Sequence, residues 1–239
     1  MYISAQLLNA VLQLVIILPF LLLGKRFKKD EWRIGAIFFF MFLLWSVLNS
    51  GLAVTLFPGQ QWNWAGKAAT LILSILFIYR NKQVNYKEMG WTFRFFKGSA
   101  TAVLSLMLIG LAVRAVIYAM FRPPFQYFNT ETILFQGTLA AVSDEIIFRG
   151  ILLALLNRIF LLKEDIGGFK LSWGVLITSL LFGLTQGFLL QNGFHLQISL
   201  VRILLAFFAG LIAALLKERS GSLLPAVIFH ALWNLIGNH

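Results

Sequence analysis

Cysteine is absent from the 239 residues, which excludes disulfides and thiolate metal sites. Charge is scarce: 12% of the residues are charged, against about a quarter in a soluble domain. Acid is scarcer still, with nine carboxylates against twenty lysines and arginines. Histidine occurs three times, and no H-E-x-x-H is present, so the helical zinc-protease signature is missing. Tandem repeats and low-complexity linkers are lacking too, which excludes repeat arrays. What is there is apolar: 59% of the chain is hydrophobic and the mean hydropathy is +0.83. Together these describe an all-α polytopic membrane helix bundle with no room for a second, soluble domain.

Eight apolar runs are legible. They are Ser4 to Gly24, Ile34 to Phe57, Ala65 to Tyr79, Gly98 to Phe121, Thr132 to Phe160, Leu171 to Leu190, Ile198 to Leu216 and Ser222 to Ile236. Most approach the roughly 20 residues a helix needs to cross a bilayer; the third and eighth are short. The first run has no basic residue ahead of it, so a retained helix is expected rather than a cleaved signal. Pro123-Pro124 ends the fourth, and Lys163 to Lys170, with Gly167-Gly168, reads as a polar loop. Between the third and fourth runs, Arg80 to Lys97 interleaves aromatic and basic residues, as in a segment on a membrane surface.

The basic residues set an orientation. Lys25 to Arg33, Arg80 to Lys97, the Arg158 to Lys170 stretch and Lys217 with Arg219 together hold fifteen lysines and arginines on one side of this scheme. The other side holds two, Lys67 and Arg122, and three arginines (114, 149 and 202) lie within spans. Positive charge gathers in cytoplasmic loops, so both termini are expected outside the cell membrane. Topology therefore accounts for the net charge of +11, and nucleic acid is excluded as a partner.

Inside the fifth run stands Ser143-Asp144-Glu145-Ile146-Ile147-Phe148-Arg149-Gly150. One ionised side chain at a helix centre costs roughly 2.5–3.5 kcal/mol on insertion scales, which marks such residues as functional candidates. Glu145 and Arg149, at i and i+4, share a helix face and can pair. Asp144 is one step round, and this spacing leaves it unpartnered, facing the space between helices. A neutralised carboxylate beside a free one suits acid/base chemistry; a buried ion pair that fixes packing is the simpler alternative. Two later runs carry i, i+4 pairs of their own, Phe182 with Gln186 and His230 with Asn234. In lipid each needs partners, so the economical arrangement has all three helices facing one polar cavity.

These residues resemble the CAAX-protease and bacteriocin-processing (CPBP, or Abi) family of intramembrane endopeptidases, marked by E-E-x-x-x-R, then F-x-x-x-H, then H-x-x-x-N or H-x-x-x-D. Asp144 to Arg149 matches the first with Asp for the leading Glu, Phe182 to Gln186 the second with Gln for His, and His230 to Asn234 the third in full. The resemblance covers roughly residues 98–239, a core behind N-terminal helices and an interfacial segment in 1–97. It implies a bundle of about eight transmembrane helices with a polar cavity open to the cytoplasmic leaflet. It implies Asp144 as the base that activates water, Glu145 and Arg149 as its support, and His230 and Asn234 as water and oxyanion partners. At 186 the family histidine is replaced by an amide that cannot exchange a proton. Members have been described as metalloproteases and as glutamic proteases; no cofactor is predicted here, zinc being the divalent metal the resemblance leaves open. Two functions follow: a peptidase acting on a membrane-associated peptide or protein, or a catalytically impaired scaffold that binds another membrane protein.

The orientation is testable because the chain has no cysteine of its own. Lys28→Cys and Asn238→Cys should label with an impermeant maleimide from opposite sides of the membrane. Labelling from one side sinks the eight-run scheme.

Overall fold

In a hydrocarbon solvent every backbone N–H and C=O must be satisfied within the chain, and helices do this segment by segment. The computed structural model describes residues 2–23, 31–49, 60–82, 84–121, 129–160, 163–190 and 195–237. The basic loop 25–30, the 50–59 end of the second run, the Pro123-Pro124 breaker and His239 lie outside these residues.

Helix α1 spans Tyr2–Leu23, α2 Glu31–Leu48, α3 Trp64–Arg80 and α4 Ala100–Phe121. A continuous helical run over 130–159, here α5, follows. Then come α6 (Trp173–Gly187), α7 (Leu200–Ser220) and α8 (Leu224–Gly237). Four of these, α1, α2, α4 and α7, are long and apolar enough to cross a membrane by themselves. The outside of the bundle is greasy: Ile109, Val116, Met120 and Phe121 of α4 and Leu200 and Val201 of α7 are exposed. A soluble protein would not display so much contiguous apolar surface.

Two antiparallel hairpins interrupt the helices. Strand β1 (Lys163–Ile166) pairs with β2 (Phe169–Ser172), and β3 (Phe188–Leu190) with β4 (Leu196–Ile198). The expected polar loop is thus a hairpin, its turn formed by Gly167 and Gly168 at positive φ. The expected sixth span, Leu171 to Leu190, is corrected to fifteen helical residues, since its two ends pair as strands.

Helix ends are capped where the sequence supplies the residue. Asn63 accepts from Gly66 N, Asn129 from Thr132 N and Ser172 from Val175 N. At the far end of α6, Gln13 of α1 donates to the carbonyls of Leu184 and Phe188 at 3.3 and 3.0 Å, and Asn9 accepts from Leu190 N. Two buried amides of α1 therefore close the polar end of α6, which otherwise has no water to turn to. Helix α7 stops at Gly221, whose φ of +74° gives the left-handed cap that glycine favours.

The Arg80 to Lys97 segment is a strap of turns rather than a helix, and it docks by its backbone. Phe96 N donates to Ser220 O, Leu223 N to Gly90 O, and the buried Lys217 ammonium to Glu88 O. Val84 and Met89 face the core while Phe93, Phe95 and Phe96 stay exposed. Arg158 pairs with Glu88, and Arg219 donates to Gly168 O. Three basic connections, the strap, the first hairpin and the α7–α8 turn, therefore meet at one end of the bundle.

Close packing of α6 against α7 depends on Gly183 and Gly187, four apart on one face. A Cβ on Gly183 would fall 2.7 Å from Ile203 O, and one on Gly187 2.6 Å from Ser199 O. Backbone atoms cannot yield as a side-chain tip does, so these are small-residue contacts of the membrane-helix type. Gly183→Val should destabilise the protein by about 1–3 kcal/mol or more, as overpacking does. A thermal midpoint in detergent equal to that of the parent would contradict this packing.

Candidate active site

Residues 130–159 are not a uniform helix. Three α segments, Thr130–Leu134, Ala141–Glu145 and Leu153–Ile159, alternate with two π segments, Phe135–Ala140 and Ile146–Leu152. Wide π turns inside α-helices occur often at functional sites. Here they flank Asp144 and Glu145 on both sides.

Glu145 is fully buried and serves two partners through one oxygen. Its Oε1 accepts from Arg149 Nη1 at 3.1 Å and faces His230 Nδ1 at 2.7 Å. The pair read from the i, i+4 spacing is present, with an imidazole from α8 added to it. A carboxylate only accepts, so Nδ1 donates and the remaining ring nitrogen, Nε2, is left to act on other groups. The Arg149 guanidinium lies 4.5 Å from the Phe182 ring centre and 5.6 Å from that of Phe148. Gly210 of α7 makes room for it: a Cβ there would fall 2.8 Å from Nη2. Among the described residues, Arg149 Nε and Nη2 and Glu145 Oε2 are buried with no hydrogen-bond partner.

Asp144 is not the unpartnered carboxylate that the spacing implied. Its Oδ1 accepts from Lys67 Nζ at 2.6 Å and from Trp45 Nε1 at 2.9 Å. Both partners come from earlier helices, α3 and α2, which no periodicity within the motif can reveal. Lys67, assigned to an outer loop by the charge pattern, stands in the first turn of α3 and turns inward, 5.8 Å from the Trp45 ring centre. Its one sequence signal was an ammonium within an apolar run, which reads equally well as a side chain reaching for the interface.

On α8, His230 stands edge-on to Phe182 with ring centres 5.5 Å apart, and Asn234 Nδ2 donates to Gln136 Oε1 at 3.1 Å. Gln136, in the first π segment, was missed because a lone glutamine in an apolar run is an ordinary feature. Gln186 is exposed in the last turn of α6 and, among the described residues, donates to Thr185 Oγ1 at 3.4 Å. Asp144, Glu145, Arg149, Gln186, His230 and Asn234 all line one cavity of about 730 Å³. Trp45, Phe135 and Phe182 form its apolar wall, and Arg114 and Arg202 also reach it.

Among the described residues no three of histidine, aspartate and glutamate are placed so that they could hold one metal ion. Both carboxylates already face cations, Lys67 and Arg149.

The cavity has a direction. Its rim is built where α3 begins (Trp62, Asn63), α6 ends (Gln186), α7 begins (Arg202) and α8 ends (Gly237). The three basic connections meet at the opposite end of these same helices. The lining residues therefore lie away from the end of the bundle at which the basic connections meet.

The chain is thus a largely helical polytopic membrane protein with buried acid, base and amides around one cavity. Residues 126–236 match the family described as Type II CAAX prenyl endopeptidase Rce1-like, of the CPBP family, so the C-terminal part of the chain is similar to that family. No curated protein and no solved structure matches the chain.

The Glu145–Arg149 pair sets a stability test. Arg149→Leu leaves a buried carboxylate without its cation and should cost roughly 3–5 kcal/mol. Adding Glu145→Gln should recover part of that loss, because the two residues are coupled. Additive losses in thermal melts of the single and double variants would refute the coupling.

Proposed function

We propose that this protein is an intramembrane endopeptidase that hydrolyses a peptide bond with water activated by protein side chains. The observation that supports this reading is the meeting of Asp144, the Glu145–His230 pair and two amides on one cavity. Lys67 and Trp45 hold Oδ1 of Asp144, which directs Oδ2 to the water as proton acceptor. The water oxygen attacks the carbonyl carbon while its proton passes to Asp144. Asn234 spends one amide hydrogen on Gln136; its second, with the amide of Gln186, stabilises the oxyanion. His230, oriented by Glu145 through Nδ1, accepts the water's proton from Asp144 at Nε2 and passes it to the departing amine as the C–N bond breaks, which restores the Asp144 carboxylate. Arg149 holds Glu145 in place and does not touch substrate.

With the basic connections cytoplasmic, the rim faces the other way. The substrate is then a membrane-associated peptide presented on the non-cytoplasmic side, contrary to what the family resemblance implied. Gln186→Cys, at the rim, should label from outside intact cells.

One pair of observations favours a second reading. An ammonium ion 2.6 Å from Asp144, with an amide at 186, also describes a cavity retired from catalysis and kept to bind a membrane protein partner. Asp144→Asn separates the two. On the peptidase reading it lowers cleavage of a prenylated reporter peptide by about 100-fold or more at normal abundance in the membrane, and Gln186→His raises the parent rate. Unchanged function in a complementation assay of Asp144→Asn, with Arg149→Leu inactive, rejects the peptidase reading.

A further inference from the structure

A second recess lies at the other end of the bundle, where the basic connections meet. It holds about 280 Å³ and shares no lining residue with the candidate active site. Four cations line it, each from a different element: Lys87 of the strap, Arg158 of α5, Lys170 of β2 and Lys217 of α7. Two carboxylates, Glu88 and Glu218, line it as well, which leaves a formal surplus of two positive charges. The reaction proposed above uses none of these residues.

Both carboxylates are already engaged. Glu88 takes Arg158 through both oxygens, Nε to Oε2 at 2.9 Å and Nη2 to Oε1 at 2.7 Å. Glu218 Oε1 accepts from Lys217 Nζ at 2.9 Å and from Asn157 Nδ2 at 3.1 Å. Arg158 and Lys217 also stand in the last turns of α5 and α7, where the negative end of a helix dipole favours cations. Lys87 and Lys170 have no such account. Neither is part of a helix, and among the described residues neither pairs with a carboxylate. Asp165, opposite Lys170 in the hairpin, bends back to its own turn and accepts from Gly168 N at 2.7 Å. The most buried of the four cations, Lys217, spends one hydrogen on Glu218 and one on Glu88 O, at 2.8 Å, out of the three an ammonium carries. Like charges gathered on one recess repel each other, a cost that a bound anion removes.

We infer that this recess binds the phosphate of an anionic membrane lipid. Lysine serves phosphate as a compact point charge with several donors, and here lysines reach the recess from three separate elements. The aromatic residues identify the anion as a lipid's. Phe96 lines the recess, and it is exposed together with Phe93 and Phe95 of the same strap. Such rings seat at the boundary of headgroups and acyl chains, where a free phosphate ion has no use for them. In the orientation that the basic residues set, this end meets the cytoplasmic leaflet, whose surface is negative. The bound lipid would join the strap, β2 and α7 across their outer surface. This binding does not depend on the peptidase reading.

The test is thermal melting of the full chain in neutral detergent, titrated with dioctanoyl phosphatidylglycerol, dioctanoyl phosphatidylcholine or inorganic phosphate. Phosphatidylglycerol should raise the midpoint by about 5 °C or more at 100 times its Kd, and the other two should leave it unchanged. Lys87→Gln combined with Lys170→Gln should weaken the apparent affinity about 10-fold or more. Both side chains are exposed, so without lipid this double variant should melt as the parent does. Lys87→Arg with Lys170→Arg, which keeps both charges, should retain the response. Lys82→Gln with Arg94→Gln removes the same charge from strap residues that do not line the recess, and should bind as the parent does. Equal weakening by the two glutamine pairs would reduce the effect to general surface charge and overturn the inference. An equal shift with phosphatidylcholine would do the same, since the phosphate would then carry no preference for net negative charge. A response to inorganic phosphate as large as that to the lipid would give the recess to the free anion and overturn the lipid assignment.

Discussion

The buried carboxylate of Glu145 is the interaction on which the rest of this structure depends. Through one oxygen it joins Arg149 of its own helix to His230 of α8, and so fixes how α5 and α8 face each other. The cation in turn lies against Phe182 of α6 and needs Gly210 of α7 to be bare. Four helices are thus keyed to a single charge. In hydrocarbon such a charge has no solvent to retreat to, so its partners determine the arrangement of the helices around it.

Around that hub the aromatic residues do the insulating. Phe42, Trp45, Phe148, Phe182 and His230 follow one another with ring centres between 5.0 and 5.7 Å apart, a path from α2 through α5 and α6 to α8. It separates the polar cavity from the apolar core below it. Trp45 belongs to both sides: its ring packs on Phe148 while its N–H serves Asp144. Tryptophan is suited to such a boundary because one edge is wet and the rest apolar.

Much of the bundle was legible because membrane helices announce themselves by length and apolarity. The run from Ala65 to Tyr79 became Trp64–Arg80, and that from Gly98 to Phe121 became Ala100–Phe121. Periodicity also brought out the Glu145–Arg149 pair, which lies within one helix. It failed for Asp144, whose partners stand 77 and 99 residues away, and for Gln136, which meets Asn234 across 98. No local pattern encodes which helix will lie against which. The two hairpins were hidden for another reason: Phe188–Leu190 is as apolar as the helix before it, and strand and helix differ little in a run so short. The strap was expected to lie on the membrane surface; its docking to the bundle depends on backbone groups, which composition does not report.

The wide turns of α5 have a bearing on how this site can change over time. A turn closed across five residues instead of four holds one residue more than an α turn. Removing a single residue from Ile146–Leu152 would let the segment relax to a regular helix and swing what precedes it by about 100°. Asp144 and Glu145 would then leave the face they share with Lys67 and His230, although not one of those side chains had been altered. Chain length within α5 is therefore as much a component of the site as any named residue. Relatives with a gap in that stretch should be expected to have lost the site even where the acids, the arginine and the histidine all remain.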